Sequence, residues 1–155
     1  MSFSVRRIVT GHDAKNKSIV LIDEQTSNIL STRHGQHSSV VWATDKPSPD
    51  LSKLNDISHS IKQTTIPGGS VCRISCFDPG VSPRMHRTES IDYAIILSGE
   101  LDMELDYGKV TKLKAGDVVV QRGTIHNWRN NGKEPCYVAF ILISATLPGN
   151  LEAAG

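Results

Sequence analysis

A chain of 155 residues has room for one buried core and is short for two. Lys and Arg number 17 against 16 Asp and Glu, a net charge of +1, so no basic excess points to nucleic acid or to an anionic membrane surface. Hydrophobic residues at 38% and charged residues at 21% read as soluble and globular. No apolar segment follows Arg6 and Arg7 to make a secretory signal, and the longest apolar run, Tyr137 to Ile143, is far too short to span a bilayer.

Two strand-like segments open the chain, 4–10 (SVRRIVT) and 18–22 (SIVLI), with the polar stretch 11–17 as a hairpin turn between them. Residues 24–36 are polar and poor in period, and His34 within them and His37 just after read as loop residues without a third nearby ligand. Residues 38–43 (SSVVWA) form a third strand candidate, rich in β-branched residues and Trp. Thr44 to Pro49 breaks structure, 50–59 has the composition for a helical turn, and Pro67-Gly68-Gly69 is a turn. Ser70 to Phe77 alternates as a strand, with Cys72, Ile74 and Cys76 on one parity. Leu101 to Ala115 reads as a hairpin about Gly108, Gly116-Asp117 turns the chain into VVVQ, and Cys136 to Ser144 is the last long strand. Residues 145–155 end in small side chains and are expected to be mobile. Cys72, Cys76 and Cys136 do not make an even disulfide set, which fits a reducing cytoplasm.

The chemistry concentrates between Gly80 and Asn130. His86, Thr88 and Asp92 precede Gly99; Gly116, Gly123, His126 and Asn130 follow. Along an unbroken strand His86, Thr88 and Asp92 share a face and Glu89 takes the other; His126, Trp128 and Asn130 share theirs. Closing such strands on one another brings both groups into one pocket inside a small barrel.

These residues resemble the two motifs of the cupins, G…HxH…E…G followed by G…PxG…H…N. Gly80, His86, Asp92 and Gly99 match the first, and Gly116, Gly123, His126 and Asn130 the second. The strict match covers about a third of the chain, with looser strand patterning over 70–145. The resemblance implies an all-β, jelly-roll barrel at 67–145. Residues 1–66 would then be N-terminal strands and linker that extend its sheets or form the interface of a homodimer, and 146–155 a tail. It also places the chain near small cupin-domain proteins of bacterial genomes and fungal polyketide clusters, some of them labelled oxidoreductases. The departures bear on chemistry. Thr88 stands at the family's second histidine, Asp92 at its glutamate, and Gln121 or Arg122 where proline is usual.

The expected catalytic residues are therefore His86, Asp92 and His126, with Thr88, Trp128 and Arg84 against the substrate. Histidine titrates near neutrality and serves as acid, base or ligand. Three readings stay open. In the first, these residues move protons in a lyase or isomerase reaction on a small organic molecule (dehydration, isomerisation or decarboxylation). In the second, His86, Asp92 and His126 hold a divalent metal (iron, manganese, zinc or nickel) for an oxidoreductase or dioxygenase; two histidines and a carboxylate suit non-haem iron, whereas threonine is a poor ligand. In the third, the barrel binds a small ligand without turnover. The expectation leans to an enzyme. No dinucleotide glycine fingerprint or P-loop occurs, so no nucleotide cofactor is expected.

Overall fold

Alternating polar and apolar residues give strands wherever turn residues bound them. The computed structural model describes residues 3–155. Its strands are β1 (Arg6–His12), β2 (Ser18–Gln25), β3 (Ile29–Arg33), β4 (Gln36–Thr44), β5 (Ser70–Phe77), β6 (Ser90–Ser98), β7 (Glu100–Leu105), β8 (Val110–Lys114), β9 (Val118–Arg122), β10 (His126–Arg129) and β11 (Cys136–Ser144). Helix is confined to 3-10 turns at Ser58–Ser60 and Asp106–Gly108 among the described residues, and no helix is long and apolar enough to cross a membrane.

All pairings are antiparallel. Six strands form one sheet in the order β3-β4-β5-β11-β6-β9, and three form a second in the order β10-β7-β8. Their inner faces share one core. Val40, Val71, Ala94, Ile96, Val138 and Leu142 from the large sheet meet Leu101, Leu113 and Trp128 from the small one. This is the jelly-roll arrangement in which two sheets enclose a cavity. Gly99 turns β6 into β7 at φ +80°, and a Cβ there would lie 2.7 Å from the Pro135 carbonyl oxygen, so both conformation and space require glycine.

Several local expectations change. Residues 24–36 contain β3, which pairs with β4 through a tight turn at Gly35. β4 is an internal strand, paired with β5 along its length, and it contributes Val40 and Ala43 to the core. Ahead of residue 67, β3 and β4 thus extend the barrel's large sheet. The region 50–59 supplies only the short turn at Ser58–Ser60.

β1 and β2 form their own two-stranded sheet. Arg7, 3% exposed, pins that hairpin to the body. Its guanidinium donates to Glu24 on β2, to Asp56 Oδ2 at 2.6 Å, to Ser58 Oγ at 3.0 Å and to the Val41 carbonyl, and lies 6.0 Å from the Trp42 ring. Burial works against the Asp56 carboxylate, yet hydrogen bonds from Arg7 and Ser58 hold it down at about 2.

The C-terminal segment is not loose. Ala154 forms an antiparallel bridge with Arg87, with N–H···O distances of 2.8 and 3.1 Å, and the Gly155 carbonyl accepts from Arg84 Nε and Nη2. Backbone groups that would otherwise need water find partners beside the first motif.

Candidate active site

His86 lies ahead of β6 in a segment that bridges His126 at the start of β10. The two residues exchange both backbone hydrogen bonds at 3.0 Å. This pairing brings the imidazole centroids to 4.3 Å, and both rings are more than nine-tenths buried. His86 Nδ1 lies 3.0 Å from the Arg84 carbonyl oxygen and His126 Nδ1 lies 2.8 Å from the Thr124 carbonyl oxygen. A carbonyl only accepts, so each Nδ1 carries the proton, and each neutral ring keeps Nε2 as its free lone pair. Burial first, then repulsion from His126, presses His86 down to about 4. Burial also lowers His126, against the pull of the Thr124 carbonyl. Both rings are neutral bases at pH 7.

Asp92 enters the same cavity from β6, with Ser90, Ala94 and Ile96 on its face of the strand. Ser90 Oγ donates to Asp92 Oδ1 at 2.6 Å, and Thr88 Oγ1 lies 2.8 Å from Ser90 Oγ, so the three form a buried hydroxyl–carboxylate chain. Burial pushes Asp92 up to about 6, opposed by the Ser90 hydrogen bond and the charge of Arg73. It changes protonation close to neutrality.

Trp128 follows His126 on β10, edge-on to it at 5.3 Å and to Phe140 at 5.6 Å, and walls the cavity. Arg84 lines it as well. Asn127, 1% exposed, holds Arg84 in place; its Oδ1 accepts from the Arg84 N–H at 2.8 Å while Nδ2 donates to Glu104. The cavity volume is about 70 Å³, space for roughly five water-sized atoms. A larger pocket of about 410 Å³ adjoins it and shares Thr64 and Arg84.

His86, Asp92, His126, Trp128 and Arg84 thus line one cavity. Thr88 is not with them. It shares their buried face, hydrogen-bonded to Ser90 with Glu89 exposed beside it, but it lines the outer pocket and not the cavity. Glu89 is exposed, away from the histidines. Asn130 is structural, donating to the Phe77 and Glu134 carbonyls and accepting from the Gly132 N–H.

The ligand set His86, Asp92 and His126 does not close around a metal position. No group of three His, Cys, Asp or Glu side chains among the described residues can hold an ion. The same wall carries Arg33, Lys62, Arg73 and Arg84 against the single carboxylate of Asp92, a surrounding that repels a dication. The three cysteines are free thiols outside the cavity.

Arg33 and Arg73 are functional candidates that strand reading missed. Arg73 shares a parity with Val71, Ser75 and Phe77 on β5, and that parity faces the cavity. The signal was an arginine on one face of an alternating strand. Arg33 ends β3, in a stretch whose polar composition hid the strand.

Comparison with known proteins agrees with this geometry. The cupin domain model matches residues 73–143. Phomopsin biosynthesis cluster protein C' of Diaporthe leptostromiformis is 42% identical over 133 residues, covering 80% of this chain and 69% of that protein. The cupin-domain-containing oxidoreductase fogC of Aspergillus ruber is 33% identical over 157 residues, covering 90% and 72%. Among solved structures, an uncharacterized conserved protein with a double-stranded beta-helix domain from Klebsiella pneumoniae has the same fold. Its TM-score is 0.53 at 23% identity, over 82% of this chain and 89% of that one. A jelly roll whose two motif histidines meet in its interior, matched over most of its length by such relatives, belongs to the cupin family.

Proposed function

We propose that this protein is a lyase or isomerase that moves protons on a small organic molecule in the barrel cavity. The observation that carries the reading is the pair of neutral imidazoles, each tied through Nδ1 to a backbone carbonyl, facing a buried carboxyl whose proton is exchangeable near pH 6. One Nε2 takes a proton from a carbon next to an activating carbonyl. In a dehydration, the electron pair left on carbon forms a double bond, the neighbouring C–O bond breaks, and the oxygen leaves as water with the proton of Asp92. In an isomerisation, Asp92 returns a proton at a second atom. Burial supports this chemistry, because acid and base then act without competition from bulk water. Trp128 and Phe140 give the substrate an apolar wall.

The names of fogC and of the related virC protein of Hypocrea virens, both cupin-domain-containing oxidoreductases, favour a second reading in which this chain also performs redox chemistry. It needs a redox centre for which the cavity offers two imidazoles and no third ligand in place.

The test is to incubate the purified protein with a metabolite extract of a source culture lacking its gene, and to follow masses with time. Lyase or isomerase chemistry converts a compound to one of equal mass, or of mass lower by one water or one carbon dioxide. Loss of two hydrogens or gain of oxygen, with bound metal by elemental analysis, would establish the oxidoreductase instead. Retention of a compound without turnover would make the barrel a binding module. His86→Asn and His126→Asn should each lower turnover by about 10²- to 10⁴-fold.

A further inference from the structure

The charges of the cavity do not balance. Arg33, Lys62, Arg73 and Arg84 line it, and Asp92 is the one carboxylate there. Both histidines are satisfied as neutral rings and neutralise nothing.

Arg33 and Arg73 are also short of partners, whereas Arg84 donates to the Gly155 carbonyl. Arg73 is 8% exposed; its Nη2 donates to the Gln63 and Thr64 carbonyls at 2.7 and 3.0 Å, while its buried Nε has no acceptor. Arg33 is emptier still. Its Nε and Nη1 are buried without a partner, and its guanidinium carbon lies 5.9 Å from the centre of the Phe77 ring. Arg84 lies near enough to depress both, after burial itself, which is the larger effect. A buried guanidinium with open donors is costly and persists where an anion completes it.

We propose that the ligand of this cavity is a small organic carboxylate, its charge held by Arg33, Arg73 and Arg84 and its carbon skeleton set against Phe77, Trp128 and Phe140. The inference rests on the reading of this cavity as a small-molecule site, and it adds the class of the molecule. Guanidinium groups meet carboxylates in a planar, two-bonded fork, and apolar walls suit a carbon chain better than a second phosphate oxygen. The volume admits an acid of about three to five heavy atoms. A longer skeleton would extend past Thr64 and Arg84 into the outer pocket, which both residues line.

The test uses acetate and propanoate as probes, acetamide and propanamide as neutral counterparts of the same shape, and inorganic phosphate as the competing anion. Binding is followed at constant ionic strength by the fluorescence of Trp128 in a Trp42→Phe background. The carboxylates should saturate the signal and the amides should bind at least tenfold more weakly. Arg33→Gln and Arg84→Gln should each weaken carboxylate binding by about 10- to 100-fold, the worth of a charged hydrogen bond. Arg33→Met gives a second readout. Nε and Nη1 have no hydrogen bond to lose and methionine keeps the packing against the Phe77 ring, so the ligand-free variant should melt at the same or a higher temperature than wild type, and it should not bind propanoate. Equal binding of acids and amides, tighter binding of phosphate than of either acid, absence of saturable binding, or an Arg33→Gln variant that binds like wild type would each overturn the proposal. So would a marked drop in the melting temperature of Arg33→Met, which would make Arg33 a structural residue. The proton-transfer reading falls separately. If His86→Asn and His126→Asn keep full turnover while the acids still bind through the arginines, that reading fails and the carboxylate site stands.

Discussion

Replacing His86 by asparagine should change how stability responds to acid. In the unfolded chain His86 takes a proton near 6.5, whereas in the barrel it does so only at about 4. Above pH 6.5 the ring is neutral in both states and contributes nothing to the pH dependence. As pH falls from 6.5 to 4 the unfolded state binds a proton that the folded state refuses, so stability is lost through that window. At about 1.4 kcal/mol per pH unit, the loss assigned to His86 is about 3 kcal/mol. A chain of this size shifts its melting temperature by roughly 2–4 °C per kcal/mol. His86→Asn should therefore lose about 6–12 °C less than wild type between pH 7 and pH 4. Calorimetry at the two pH values measures it, and any constant cost of the substitution cancels in the difference. Asp92→Asn supplies a control of opposite sign. The folded carboxyl takes its proton at about 6, above its ordinary 3.8, so it adds stability as pH falls through that interval. Its removal should steepen the acid loss by about 3 kcal/mol. Equal pH dependence in wild type and His86→Asn would refute the reasoning.

Two further outcomes follow from the same structure. Once a substrate is in hand, kcat/KM should peak between about pH 4 and 6 and fall on either side, because the competent enzyme holds one proton on Asp92 and none on His86; a rate still rising above pH 7 would contradict it. Arg7→Met should destabilise the protein by about 3 kcal/mol in urea titration, since Asp56 and Ser58 lose a largely buried partner; a change below about 0.5 kcal/mol would mean that the hairpin is held by other contacts.

The sequence carried the barrel and its histidines because two simple regularities coincide there. Strand alternation and the turns at Gly99, Gly108 and Gly116 mark β6 to β9, and the motif positions place His86 and His126 opposite one another. Asp92 followed by parity from within β6. Thr88 keeps the same parity, buried while Glu89 is exposed, yet it lines the outer pocket, a distinction that counting by twos does not carry. Arg73 was hidden for a different reason. On β5 the apolar residues Cys72, Ile74 and Cys76 occupy one parity and Arg73 and Ser75 the other, so a reader who places apolar residues inward turns the strand over. The inner face carries Arg73 and Ser75 where its middle lines the site, while Val71 and Phe77 at its ends join the core. Arg33 was invisible because β3 is short, polar and mostly exposed. The course of residues 145–155 rests on backbone hydrogen bonds, which carry no side-chain signature.

That last contact governs how the protein should be prepared. Ala154 is bridged to Arg87, the Gly155 carbonyl rests on Arg84, and a Cβ at Gly155 would stand 2.9 Å from the Cβ of His86. Any residues fused after position 155 begin at the mouth of the cavity. A polyhistidine tag there would bring a row of foreign imidazoles to the door of the site, where they would load nickel from the column and compete for Arg84. Metal content and anion affinity measured on such material would describe the tag, whereas a cleavable tag on the other terminus leaves the contacts of Arg84 and Arg87 as they are.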